Sequence, residues 1–195
     1  VPIGGGAVPR PRAVVPRGLA LAVLAAMLVA GCGGPPPGPP DPFPPRPEVL
    51  DIERLEPCGL LSPQARAVFQ VDEGRSGTAQ LRGVTTRACG WGSLDTPFDY
   101  SVQLIPQDAA QAVGAAGTVL GSVEGYGTVR HTDREETFPL CEILVDVNEG
   151  QLLRIQVQTV ERRRDNGAAY PIEQVCGQAE LAAADAVRSA RAATS

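Results

Sequence analysis

The chain has 195 residues, 43% of them hydrophobic and 20% charged, which suits one globular domain and argues against wholesale disorder. It carries 17 Arg, no Lys and a formal net charge of −5. A net acidic body argues against sequence-independent nucleic-acid binding, which requires neutralised phosphates, and against docking by general attraction to anionic lipid.

At the N-terminus, Arg10, Arg12 and Arg17 stand ahead of the apolar run GLALAVLAAMLVAG, residues 18–31. Positive flank and apolar run are the n-region and h-region of a signal peptide. As a helix, the 14 apolar residues span roughly 21 Å, short of a ~30 Å hydrocarbon core. A cleaved signal over residues 1–31 is therefore expected, not a spanning anchor. The run ends in Val29-Ala30-Gly31-Cys32, which resembles the bacterial lipobox: an aliphatic residue, two small ones, then cysteine. The resemblance implies that Cys32 is diacylglycerol-modified and becomes the first mature residue, holding the chain to the outer face of the cell membrane. Loss of residues 1–31 removes three Arg and no acid, leaving 14 Arg against 22 acids, a net charge of −8.

Residues 32–48 form a Pro/Gly-rich tether, with nine Pro between positions 33 and 48. Pro fixes φ and removes donors, so an extended polyproline II spacer is expected, reaching up to about 50 Å at ~3.1 Å per residue.

Residues 49–195 are then one domain. In CGLLSPQARAVFQ, Ser62 suits an N-cap and Pro63 the first helical position. Leu61, Ala65, Val68 and Phe69 would line one face. TAQLRGV (78–84) and RACGW (87–91) read as a short antiparallel pair. FDYSVQLI alternates, with Phe98, Tyr100, Val102 and Leu104 on one side and Asp99, Ser101 and Gln103 on the other. Residues 107–113 suit a short helix, the Gly-rich stretch 114–127 a connection, and GTVRHT a strand. Cys141, Ile143, Val145 and Val147 share one strand face, and Leu153, Ile155 and Val157 share one on the next. Asn148-Glu149-Gly150 suits the hairpin loop between them, with Gly in the left-handed position. From Pro171 onward, Ile172, Val175, Cys176, Ala179, Ala183, Ala186, Val187 and Ala190 recur at helical spacing. The expected fold is α+β: an antiparallel sheet of about five or six strands packed by N- and C-terminal helices, with two disulfides.

With Cys32 acylated, four of the five cysteines remain, and four allow three connectivities. Cys141 on an inward strand face and Cys176 on the apolar helix face favour a sheet-to-helix bridge. Cys58 then pairs with Cys89. Each bridge closes a loop worth roughly 3–4 kcal/mol in the chain-entropy model. Zinc is disfavoured because no C-x-x-C pair exists and His131 is the lone histidine.

EPCGLLSPQ (56–64), CGW (89–91), a later core cysteine and a terminal Ala-rich helix together resemble domain-of-unknown-function family 3558. The resemblance covers most of residues 50–190 and implies an actinobacterial lipoprotein without an established activity.

No residue pattern announces catalysis. His131 lies in the polar VRHTDREE and reads as an exposed strand-end residue, with no nucleophile elbow to serve. Asp133, Glu135 and Glu136 lack the spacing of a Ca²⁺ loop, and Arg162-Arg163-Arg164 reads as a solvated loop. GYGTV (125–129) reads as a turn and Trp91 as a lid over a disulfide. No cofactor and no metal are expected. The favoured function is non-catalytic binding of a small apolar or envelope-derived ligand. The alternative is an adaptor subunit docking a membrane or cell-wall protein.

Overall fold

The computed structural model describes residues 40–133, 138–160, 168 and 170–194. Cys32 and the apolar run before it, residues 33–39 of the tether, Glu135, Glu136 and Arg162-Arg163-Arg164 lie outside the described residues.

The folded unit that begins at Asp41 is built on strands β1 (Arg75–Leu81), β2 (Val84–Trp91), β3 (Phe98–Ile105), β4 (Thr118–Val123), β5 (Tyr126–Asp133), β6 (Leu140–Asn148) and β7 (Gln151–Thr159). Two helices, α1 (Pro63–Phe69) and α2 (Ile172–Thr194), complete it. The strands form one antiparallel sheet in the order β1-β2-β3-β7-β6-β5-β4. The class is α+β as expected, with seven strands where five or six were anticipated.

Alternation decides which side chains go inward. Tyr100, Val102, Leu104, Ile143, Val145, Ile155 and Val157 leave the sheet on one face and are buried together. The Ala-rich side of α2 covers them, with Ala179, Ala183, Ala186 and Ala190 in the same core. Small side chains let helix and sheet backbones approach closely, and Ala also favours the helix itself. The Tyr100 hydroxyl donates to Gln178 Oε1 on α2 at 2.9 Å. Ser62 caps α1 by accepting from the Ala65 N–H at 3.1 Å, and Phe69 on that helix stacks on Tyr100 with ring centroids 4.8 Å apart. Both coverings are tied down covalently. Cys58 is bonded to Cys89 of β2 and Cys141 of β6 to Cys176 of α2, the two pairs the sequence favours.

The opposite face has a smaller core of its own. Phe43, Ile105, Ala109, Ala112, Val129, Leu144 and Leu152 cluster there. The N-terminal segment lies across it as a strap. Arg46 reaches Asp146 twice, Nη2 donating to Oδ1 at 2.7 Å and Nε lying 2.7 Å from Oδ2. Burial pushes the Asp146 carboxyl above its usual range, opposed by the hydrogen bond and charge of Arg46. The domain thus starts at Asp41 and not at Val49, because Phe43 and Arg46 find partners on the sheet.

Other local expectations change for identifiable reasons. The segment read as a connection contains β4, an exposed edge strand whose TVLGSV shows no alternation. GYGTV is mostly strand β5; the turn is Glu124-Gly125, with φ of 50° and 86°. Arg82-Gly83, read as strand, turns β1 into β2 with φ of 48° and 83°. Both are the two-residue connections with two positive φ values that match strand twist. Between β6 and β7 the loop shortens to Glu149-Gly150, with an irregularity between Asp146 and Asn148, and Gly150 takes the left-handed φ of 67°. Val68 points to solvent, since α1 ends after seven residues and buries only its Ala65 and Phe69 side. The helix expected over 107–113 is a single 3-10 turn, Ala109–Ala112. Among the described residues no helix is long and apolar enough to cross a membrane.

Candidate functional site

The outer sheet face beyond the strap carries the chain's concentration of polar chemistry. Registers join one residue from every strand into a row across it: Arg75, Gly90, Ser101, Gln156, Glu142, His131 and Thr118. Antiparallel partners share a face, so these residues stand side by side. Asp99 and Gln158 flank the row on one side, and Gln103 and Arg154 on the other.

At its centre the row is closed by hydrogen bonds. Gln103 Nε2 donates to Ser101 Oγ at 3.1 Å and to Gln156 Oε1 at 3.3 Å. Arg154 Nη1 donates to Gln103 Oε1 at 3.0 Å, while the same guanidinium is ion-paired with Glu142. Gln103 and Glu142 are only 4% and 7% exposed, so satisfaction of their polar atoms is required, not incidental.

Toward β1 the row opens into a cleft of about 560 Å³. Gly90, Ser101, Asp99 and Gln156 contribute to it from the sheet, Asp72, Glu73 and Arg75 from the segment before and at the start of β1, and Ser93 and Leu94 from the loop after β2. Small residues at Gly90 and Ser101 leave this part of the floor low. A Cβ on Gly92 would lie 2.2 Å from Asp99 Oδ1, so any other residue there would push the Asp99 carboxylate out of its place. Desolvation raises the Asp99 carboxyl above its ordinary value. Glu73 is ion-paired with Arg66 of α1. Trp91 and Tyr100 also line the cleft, and Trp91 Nε1 is buried without a hydrogen-bond partner. Burial also raises the Tyr100 hydroxyl far above its usual range.

Toward β4 lies a second cleft, of about 220 Å³, where His131 and Glu142 meet Asp108, Arg82 and the apolar Leu81, Leu144 and Leu152. His131 is half-buried here, not exposed as its polar sequence context suggests, because the row sets it beside Glu142 of β6. The two carboxylates are already engaged: Glu142 with Arg154 and Asp108 as acceptor from the Gly150 N–H. Neither is hydrogen-bonded to His131. Among the described residues no cluster of three His, Cys, Asp or Glu side chains could hold a metal ion. Asp133 closes β5, and Glu135 and Glu136 fall outside the described residues.

The four cysteines thus lie on the inner, packed side. Sequence reasoning placed Ser101, Gln103 and Asp99 on the correct strand face but did not join them to Gln156 or Glu142. That union depends on β3 pairing with β7, about fifty positions later in the chain, and no local pattern reveals it. No curated protein and no solved structure matches the chain. The model of a family described as protein of unknown function (DUF3558) matches residues 27–189, and the chain belongs to that family.

Proposed function

We propose that this protein is an actinobacterial lipoprotein, held at the outer face of the membrane through diacylglycerol on Cys32, whose domain binds a small polar envelope ligand without transforming it. The anchor rests on the order of charged flank, apolar run and lipobox at residues 10–32. The binding role rests on one observation above all, the 560 Å³ cleft at the β1 side of the outer face, which is within the size range of small-molecule sites. Its carboxylates, amides and hydroxyls suit a ligand rich in hydroxyl and amine donors; the apolar ligand considered from sequence suits it less. A non-catalytic reading is supported by the separation of functions on the face: the lone His131 lies in the other cleft, where the described carboxylates Glu142 and Asp108 are engaged with Arg154 and the Gly150 N–H.

The test is a titration of the full chain with a panel of soluble cell-wall sugar and amino-sugar fragments, followed by calorimetry. Binding is expected for at least one, and Ser101→Trp, which fills the cleft floor, is expected to abolish it while the chain stays folded, with stability lowered by about 1–3 kcal/mol because the buried Gln103 amide loses an acceptor. Binding that survives the substitution removes the cleft from the proposal. Mass spectrometry of membrane-extracted protein tests the anchor separately: an unmodified Cys32 with the apolar run retained would overturn it. An adaptor role is the second reading, favoured by the fully exposed Leu94 at the cleft rim. In-cell crosslinking from position 94 to a defined envelope protein would place that reading first.

A further inference from the structure

The sheet ends on two edges of different character. β1 begins at Arg75 and turns at Arg82, so two copies brought together there would oppose like charges. β4 reads TVLGSV, with no charge and no proline, and its four middle residues are exposed. Val119 and Leu120 are 55% and 50% exposed. Sheets ordinarily guard such an edge with charge, proline, a bulge or a covering segment. β4 has no charge or proline, and its ladder with β5 runs in unbroken register from Thr118 to Val123.

Backbone geometry says which groups β4 leaves open. The two-residue turn closes Val123 on Tyr126, and at the other end the Thr132 N–H bonds the Gly117 carbonyl across the ladder at 3.4 Å. Alternation between these points directs the backbone groups of Thr118, Leu120 and Ser122 away from β5. The Thr118 N–H is taken by the Ala115 carbonyl at 3.2 Å, so the open groups are the Thr118 C=O and both groups of Leu120 and Ser122.

We infer that β4 pairs antiparallel with β4 of a second copy, about a two-fold axis through Leu120, joining the two sheets into one. This register sets Leu120 opposite its own mate and Thr118 opposite Ser122, so Leu120 exchanges both backbone bonds with its mate and each Thr118 C=O accepts from the Ser122 N–H of the other copy. It also sets Val119 opposite Gly121. On the helix-covered face, Gly121 leaves part of a groove of about 210 Å³ open, lined by Val119, Val123, Thr128, Arg130 and Glu180. The Val119 side chain of each copy fills the space over Gly121 of the other, while Leu120 meets Leu120 on the outer face. Self-complementarity of backbone and side chains in one register singles out a second copy over an unrelated strand. The net acidic body does not prevent approach, because the acids nearest the seam are already paired: Glu124 with Arg188 at 2.5 Å and Glu180 with Arg130 at 3.0 Å. A two-fold contact closes on itself, and the far edges of the joined sheet both present β1 with its arginines, so growth stops at two.

The experiment uses the full chain with Cys32→Ala, which removes the one cysteine outside the disulfides, and adds Leu120→Cys or Ser122→Cys. Under mild oxidation Leu120→Cys is expected to give about tenfold more covalent dimer than Ser122→Cys, because only the first pair lies within bridging distance. In sedimentation, the Cys32→Ala chain is expected to dimerise with rising concentration, and Leu120→Arg to remain monomeric with an unchanged unfolding midpoint. Monomer at every concentration, equal crosslinking at both positions, or a dimer that survives Leu120→Arg would each overturn the inference.

Discussion

The two faces of the sheet solve opposite problems with the same strands. The inner face is apolar from Trp91 to Val145, covered by α2, α1 and the segment from Leu50 to Leu61, and bonded to its covering at Cys89 and Cys141. The outer face is divided. One part is apolar and strapped by Phe43 and Arg46; the other is polar and opens into two clefts. Apolar burial is therefore concentrated inside and under the strap, while the polar part of the outer face is held by the hydrogen-bonded network of Gln103, Gln156, Arg154 and Glu142. The lesson is that a sheet can dedicate one face to permanence only if the covering elements are held independently of the other.

Four variants break or sharpen that contrast. Arg46→Met should have the largest effect, about 3–5 kcal/mol, because it leaves Asp146 buried without its partner. Burial already raises that carboxyl, and Arg46 is the group that opposes the rise. Without it the folded-state pKa climbs further, so stability is greatest below the unfolded Asp value of about 3.9 and falls as pH increases through the raised value. Urea titrations from pH 4 to pH 8 should show this slope steeper in Arg46→Met than in the parent; an equal slope would detach Arg46 from Asp146.

Removing the inner-face bond with Cys141→Ser and Cys176→Ser together should cost about 3–4 kcal/mol by loop entropy, read as a shift in urea midpoint. A loss much below this would mean that α2 packs as firmly without the bond. Ala183→Leu, which forces a larger side chain between α2 and the sheet at a fully buried position, should cost about 1–3 kcal/mol. If it is neutral, the close approach of helix and sheet is not limiting. Asp99→Asn should have the smallest effect. Desolvation raises this carboxyl in the fold, so its charged form is disfavoured and the amide should leave the neutral-pH midpoint unchanged or slightly higher. Ligand titration, not unfolding, is where this variant should differ.

The inner face was far more legible in the sequence than the outer. Alternation in FDYSVQLI and around Ile143 and Ile155, and helical spacing from Ile172 to Ala190, are local signals of burial and survive folding unchanged. The cysteine pairing followed from which faces those signals assigned. β4 was illegible because an edge strand exposed on both sides needs no alternation. The strap was hidden by its Pro-rich context, where Phe43 and Arg46 look like parts of a spacer until their partners Leu144 and Asp146, about a hundred positions on, are brought beneath them. The candidate site was partly legible for the same reason. Ser101 and Asp99 announce an outward face, but Gln156, Glu142 and His131 join them only through pairings set by the whole sheet.

The two disulfides link cysteines that are consecutive in the domain, 31 and 35 positions apart, so the covalent rings neither overlap nor enclose one another. One ring holds β1 and part of β2; the other holds most of β6, all of β7 and the start of α2; β3, β4 and β5 belong to neither. A chain threaded N-terminus first into an oxidising compartment can therefore close each bond as its second cysteine emerges, without exchanging a wrong partner for a right one. The price of that simple order is that no covalent cross-link joins the two rings, which are held to each other by the continuous backbone, the hydrogen bonds of β3 and the shared inner core. A single cut at the exposed Glu124-Gly125 turn would leave two covalent pieces held together only by non-covalent contacts: the sheet, the inner core and the Arg46–Asp146 pair.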